Sequence, residues 1–144
     1  MAEEQTYQTH TRWYPLVHFV IMPLLLGNLI WQIIRLWQEP NWDRGENILM
    51  ALVFILIVFT SRIQALRAQD RVIRLEEQLR YRGVLEPSLA ERAGGLQTGQ
   101  MIALRFASDE ELADLVSRTL NGEFAKSKEI KLAIRKWRGD HVRV

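Results

Sequence analysis

Residues 14–34 and 47–61 contain no Asp, Glu, Lys or Arg, whereas charge is dense from Arg62 onward. That segregation constrains the fold more than any motif does. A helix needs roughly 20 apolar residues, with about 17 to 25 tolerated, to cross ~30 Å of hydrocarbon. PLVHFVIMPLLLGNLIWQII, residues 15–34, meets that length. NILMALVFILIVFTS, residues 47–61, is shorter, but Leu, Ile, Val and Phe fill most of it. Each is favoured by about 0.3 to 0.6 kcal/mol on an insertion scale, and Arg62 can snorkel while Ile63 and Leu66 finish the crossing. Two spans are expected. Average composition, 48% hydrophobic and 25% charged, conceals them because the apolar residues are clustered.

Two other uses of such runs fit less well. The leader MAEEQTYQTHTR carries Glu3 and Glu4, and no A-x-A site follows the first run, so a cleaved signal peptide is not expected. A core helix would need a large soluble domain around it, which the remaining residues are too few to build. Without cysteine there is neither a disulfide framework nor a thiolate metal site.

Lys and Arg in the short flanks set orientation. The link WQEPNWDRGEN offers only Arg44, beside Glu39, Asp43 and Glu46, whereas Arg62, Arg67, Arg71, Arg74, Arg80 and Arg82 follow the second run. The carboxyl-terminal side is therefore expected in the cytoplasm, and two spans return the amino terminus, with Arg12, to the same side. Trp31, Trp37 and Trp42 fall near the outer interface, Trp13 and Tyr14 near the inner one. Arg35 lies close enough to the outer end to snorkel. Pro40, Asn41 and Gly45 predict a tight external turn.

FTSRIQALRAQDRVIRLEEQ, residues 59–78, contains no Pro or Gly, so the second span is expected to continue as a helix beyond the bilayer. Asp70 precedes Arg74 by four residues and Glu76 precedes Arg80 by four, a spacing worth ~0.3 to 0.5 kcal/mol per exposed pair. Leu66, Val72, Ile73, Leu75 and Leu79 give this stalk an apolar side with loose heptad spacing. It suits either a coiled-coil dimer or packing on the chain's own distal helices. RGVLEPSLAERAGGLQTG, with Gly83, Pro87, Gly94 and Gly95, predicts a linker. Three short helices follow: Thr98 caps one ending at Phe106, Ser108 and Glu111 form a capping box opening DEELADLVSRTL, and Ser127 caps KEIKLAIRKW. Asn121 and Gly122 close the middle helix. Leu112, Leu115, Val116, Thr119 and Leu120 share one face of it, and Ile130, Ala133, Ile134 and Trp137 share one face of the last. With Ile102, Leu104, Phe106 and Phe124 they make a small core. At about 50 residues it is marginal alone, since such cores rarely supply more than ~3 to 5 kcal/mol, and is expected to lean on the stalk, the membrane or another copy.

At 100° per residue, His18, Asn28, Gln32 and Arg35 fall on about one third of the first span. Polar side chains in hydrocarbon turn to a protein neighbour, so this line marks helix association or partner docking. A substrate path along the line is the functional alternative. A lone His18, without a partner histidine in the second span, is a poor axial ligand for a porphyrin. His10 and His141 have no metal-ligand neighbours at helical spacing. No nucleophile has a base beside it, and there is no glycine-rich phosphate loop or Walker lysine. No catalytic residue, cofactor, metal or small-molecule substrate is therefore assigned.

Residues 126–144 hold seven basic against two acidic side chains. Either this is the solvated face of a core helix, or Lys128, Lys131, Arg135 and Arg138 contact anionic lipid, at about 1 kcal/mol per basic residue near the surface. Nucleic acid is not expected, because a single aromatic interleaves the charges and no groove-reading motif appears.

IRLEE at 73–77, ALRFASDEEL at 103–112 and KEIKLAIRKWRGDHVRV at 128–144 carry a resemblance covering nearly the whole chain. The chain resembles a family of small, uncharacterised bacterial two-span inner-membrane proteins, a domain of unknown function. Gly99 stands where the family pattern has a proline, and Gly139 softens the final helix. The resemblance implies a bacterial inner-membrane location and no activity.

The expected fold is all-α: a two-helix transmembrane hairpin, a long cytoplasmic helix and a small carboxyl-terminal helical domain. Segment boundaries are a cytoplasmic start at 1–13, spans at 14–37 and 47–82 (the second including the stalk), an external loop at 38–46, a linker at 83–97 and a tail at 98–144. Packing surfaces without a reactive constellation suggest a non-enzymatic adaptor or scaffold in contact with lipid, as a homo-oligomer. The alternative is an accessory subunit of a larger membrane transport or energy-converting complex.

Overall fold

A computed structural model describes residues 14–140. Arg12, Trp13, His10, His141 and Arg143, and the start at 1–13, lie outside the described residues. The fold is all-α. A π-helical turn at Leu16–Ile21 runs into α1, Met22–Gln38; then come α2, Trp42–Val84; α3, Pro87–Ala93; α4, Thr98–Leu104; α5, Asp109–Leu120; and α6, Ser127–Ala133. Two of these segments, Leu16–Gln38 and Trp42–Val84, are long and apolar enough to cross a membrane.

The π turn has a local cause. Pro23 lacks an N–H and its ring crowds the carbonyl one turn back, so the preceding turn widens, and the Met22 N–H reaches Val17 rather than His18. The link between α1 and α2 is tighter than the expected loop, only Glu39, Pro40 and Asn41, and Gly45 lies inside α2. Asn41 caps α2, its Oδ1 accepting the Arg44 N–H at 2.9 Å. The Arg44 guanidinium folds back onto the Arg35 carbonyl at 2.7 Å and pairs with Glu39. That satisfies a carbonyl at the end of α1 with a cation, as the helix dipole favours.

The compact unit that ends at Ala65 carries two stripes of buried and half-buried residues. One is Leu25, Leu29, Gln32 and Leu36 on α1; the other is Arg44, Ile48, Ala51, Ile55, Val58 and Arg62 on α2. Both repeat at alternating steps of three and four, the spacing that keeps each stripe on one helix face. Ala51, in the second stripe, is 2% exposed.

The second unit begins at Leu66. Its core joins Tyr81 and Leu85 from the end of α2 to Ala93, Leu96, Met101, Leu104, Phe106, Leu112, Leu115, Val116, Phe124, Ile130 and Ile134. The expected linker is therefore structural: Pro87 opens α3 at its first helical position, where its missing N–H costs nothing, and Leu89, Ala90, Ala93 and Leu96 face the core. The helix starts differ from the expected caps. Gln100 Oε1 accepts the Gln97 N–H at 3.0 Å, one residue before Thr98. Glu129 Oε2 accepts the N–H groups of Ala125 and Lys126 at 2.7 and 3.2 Å, ahead of Ser127. At α5, Ser108 occupies the cap position but makes no capping bond, and Glu111 turns away to accept the Arg135 and Lys136 N–H groups, each at 3.1 Å. The other end of α5 closes as expected: Gly122, at φ +79°, allows Glu123 N–H to reach the Arg118 carbonyl at 3.1 Å.

The last helix is shorter than its periodicity predicts. It ends at Ala133, and Ile134 is extended. Residues 134–138 form a strap: Ser108 N–H donates to Lys136 O at 3.0 Å, Arg138 N–H donates to Phe106 O at 2.7 Å, and Ala107 and Trp137 make an isolated antiparallel bridge. The Trp137 ring lies 5.1 Å from that of Phe106. Gly99 also gains an explanation, because a Cβ there would sit 3.0 Å from Ser127 Oγ where α4 meets α6.

Candidate functional site

The carboxyl-terminal half of α2 has two faces of opposite character. Ile73, Glu77, Arg80 and Tyr81, spaced four, three and one apart, share one side of the helix. On this side Ile73, Glu77 and Tyr81 are buried. Arg80 is its hub. Nε and Nη2 donate to Asp109 Oδ1 at 2.8 and 2.6 Å, Nη2 also to the Ala107 carbonyl at 2.6 Å, and Nη1 to Glu77 Oε2 at 3.3 Å. One guanidinium thus joins α2 to the turn that opens α5. The sequence spacing suggested Glu76 as its partner; Arg80 instead turns inward to Glu77, because the planar fork satisfies more acceptors there.

Beside this hub, Arg105 is 7% exposed, its Nε 3.4 Å from Asp140 Oδ2 and its guanidinium 4.5 Å from the centre of the Phe106 ring. A cleft of about 500 Å³ lies between Glu77, Arg80, Arg105, Arg138 and Asp140. Its charges are largely compensated from within. Burial pushes the Glu77 carboxyl above its usual 4.5, opposed by Arg80, Arg138 and Arg105. Burial, reinforced by the Glu77 charge, also pushes the Tyr81 phenol upward. On the tail surface, Arg118 holds Glu123 through two bonds of 2.8 and 2.6 Å and lowers its carboxyl, while Glu110 raises the Lys136 ammonium. Such groups hold a fold together; among the described residues, no three His, Cys, Asp or Glu side chains gather around a metal-sized space.

The raised Glu77 value fixes the sign of a pH effect. The folded chain keeps this proton to higher pH than the unfolded chain, so the contribution is fully present below about 4.5 and is lost as pH rises through the folded value. Glu77→Gln is therefore expected to flatten the fall in tail stability between acid and neutral pH. The difference between the two urea midpoints, followed by pulse proteolysis of the full chain in detergent, checks it. A parallel pair of pH profiles would contradict it.

The opposite face is apolar and open. Val72, Leu75 and Leu79 are 53%, 62% and 68% exposed, with Ala68 one turn before them also exposed. The expected single apolar side of the stalk is thus two: Ile73 belongs to the packed face, and Leu66, two turns before it on the same side, is exposed.

Of the residues expected to line the first span, Asn28 and Arg35 are exposed, and His18 and Gln32 are half-buried. Gln32 Nε2 is 3.4 Å from Asn28 Oδ1. His18 Nδ1 is 2.9 Å from the Tyr14 carbonyl within its own helix, and the π turn rotates it relative to the other three compared with a straight α-helix. Of the basic set, Lys128, Arg135 and Arg138 are exposed, while Lys131 is half-buried with Nζ 5.4 Å from the centre of the Phe106 ring. Because α6 stops at Ala133, Arg135 and Arg138 belong to the strap rather than to the helix carrying Lys128 and Lys131.

Glu77, Arg80, Tyr81 and Arg105 were missed as a group. Their signal was present: Ile73, Glu77, Tyr81 and Leu85 recur every four residues, but charged members in that stripe suggested solvent. No curated protein and no solved structure matches the chain. The family model for DUF6526 matches residues 1–144, and the chain belongs to this family of unknown function.

Proposed function

We propose that the protein is a membrane-tethered, non-enzymatic adaptor or scaffold that self-associates. One observation carries this: α2 runs 43 residues from a lipid-compatible stretch into a segment with a folded tail on one face and an open leucine-rich stripe on the other. At 1.5 Å per residue the helix is about 65 Å long, twice what ~30 Å of hydrocarbon requires. The excess is a presentation surface.

In this proposal the site is a bacterial inner membrane, with both termini in the cytoplasm as the arginines after the second span favour. Lys128, Arg135 and Arg138 are available to anionic headgroups, and His18, Asn28, Gln32 and Arg35 provide polar contacts in the first span. The exposed Asn28 and Arg35 also favour a second reading, docking to a foreign membrane subunit, since polar groups facing lipid are costly. Purification in a gentle detergent followed by native mass spectrometry separates the two. Homo-oligomers are the expected result; a foreign polypeptide at fixed ratio would replace the scaffold with the accessory-subunit reading, and monomer alone would contradict both.

A further inference from the structure

We infer that the open stripe of α2 binds a second copy of the same helix, parallel and in register, as a short two-stranded coiled coil outside the membrane. The inference rests on the membrane-tethered, self-associating reading and specifies its interface. Ala68, Val72, Leu75 and Leu79 follow spacings of four, three and four, the d, a, d, a positions of a heptad, and all are exposed. A β-branched Val72 at a with Leu75 at d is the pairing that favours two strands.

Two independent features agree with this register. Ile73, Glu77, Arg80 and Tyr81, which hold the tail, fall at b, f, b and c, the outward positions of a coiled coil, so each helix can carry its own tail and pair at once. Arg71 then occupies g and Glu76 the following e, both exposed. In a parallel dimer g of one helix meets the next e of its partner, so the register places Arg71 against Glu76 of the second copy, twice by symmetry. Two copies held by the same membrane spans emerge side by side in the same direction, which selects parallel over antiparallel pairing.

The seam is too short to hold two free peptides together. The tether raises the effective concentration, and each helix is already formed as part of a longer one, which removes most of the ordering cost.

The absence of cysteine makes the chain its own background for disulfide mapping. Val72→Cys, Leu75→Cys and Leu79→Cys, oxidised in native membranes, are expected to give a covalent dimer at severalfold higher yield than Asp70→Cys or Arg74→Cys. The latter pair sit at f and c, too far apart across a coiled coil for disulfide geometry. Adding Arg71→Glu to Leu75→Cys is expected to lower the yield, and adding Glu76→Arg as well to restore it. Equal yields at positions 70, 74 and 75, or no rescue by the charge swap, would overturn the register. Capture of dimers by an amine-reactive crosslinker without any disulfide at 72, 75 or 79 would overturn this interface while leaving self-association intact; no dimer by either route would overturn both.

Discussion

Arg80→Ala is expected to cost the tail about 3 to 5 kcal/mol, because removing one partner of a buried ion pair leaves the other without its hydrogen-bonded counter-charge. Glu77 is 4% exposed, so its carboxylate cannot recover the loss by reaching water. The Ala107 carbonyl loses its 2.6 Å donor in the same step. A unit this small holds a margin of similar size, so the variant's tail is expected to be largely unfolded at neutral pH. Pulse proteolysis in urea on the full chain in detergent measures it. Two further variants separate the causes. Asp109, on the other side of the same guanidinium, is 63% exposed, and Asp109→Asn is expected to cost under about 1 kcal/mol, as solvated pairs do. Arg80→Lys keeps the charge without the planar fork and should fall between them. A loss for Asp109→Asn equal to that for Arg80→Ala would move the important contact to the surface.

The same residue shows where sequence patterns stop informing. The two apolar segments were legible because charge is absent from residues 14–34 and 47–61, and the continuity of α2 because nothing between Arg62 and Arg82 interrupts a helix. The bounds of α5 were legible from Ser108 to Asn121. Arg80 was not, because Glu76 at i−4 and Glu77 at i−3 are equally good local partners, and only the arrival of Asp109 and Ala107 from 27 to 29 residues away decides between them. Glu111 misled for a related reason: it matches a capping box, but the backbone N–H groups of Arg135 and Lys136 offer its carboxylate two donors at once. The strap followed from this. Ile134 and Trp137 repeat like a helical face, yet Glu111, Ser108 and Phe106 take up backbone groups of residues 135–138 and hold them out of the helix. In each case a long-range contact outweighed a local preference worth a few tenths of a kcal/mol.

The stalk's two faces illustrate a different limit. Val72 and Ile73 are adjacent and equally apolar, and composition cannot say which is covered. The tail takes Ile73, Glu77 and Tyr81, so Val72, Leu75 and Leu79 are left outside by geometry. Partition of a helix into a folded face and a free face depends on which stripe the rest of the chain can reach.

Phe106 gives the other large expected effect. It is 1% exposed and packs under the strap, its ring against Trp137 and within reach of the cations of Arg105 and Lys131. Phe106→Ala is expected to cost about 3 to 5 kcal/mol, combining lost burial with the cavity left behind. Phe106→Leu, which keeps most of the volume, should cost less than half as much. The backbone bond from Arg138 N–H to the residue-106 carbonyl survives either change, so any loss reports on side-chain packing. Hydrogen exchange on the full chain in detergent locates it: the Ser108 and Arg138 amides should lose protection first, before those in the middle of α5, because their bonds lie beside the Phe106 ring and outside any helix. Uniform loss across α5 and the strap would mean that the two open as one unit. A change below about 1 kcal/mol for Phe106→Ala would remove the ring from its place as the keystone of the tail.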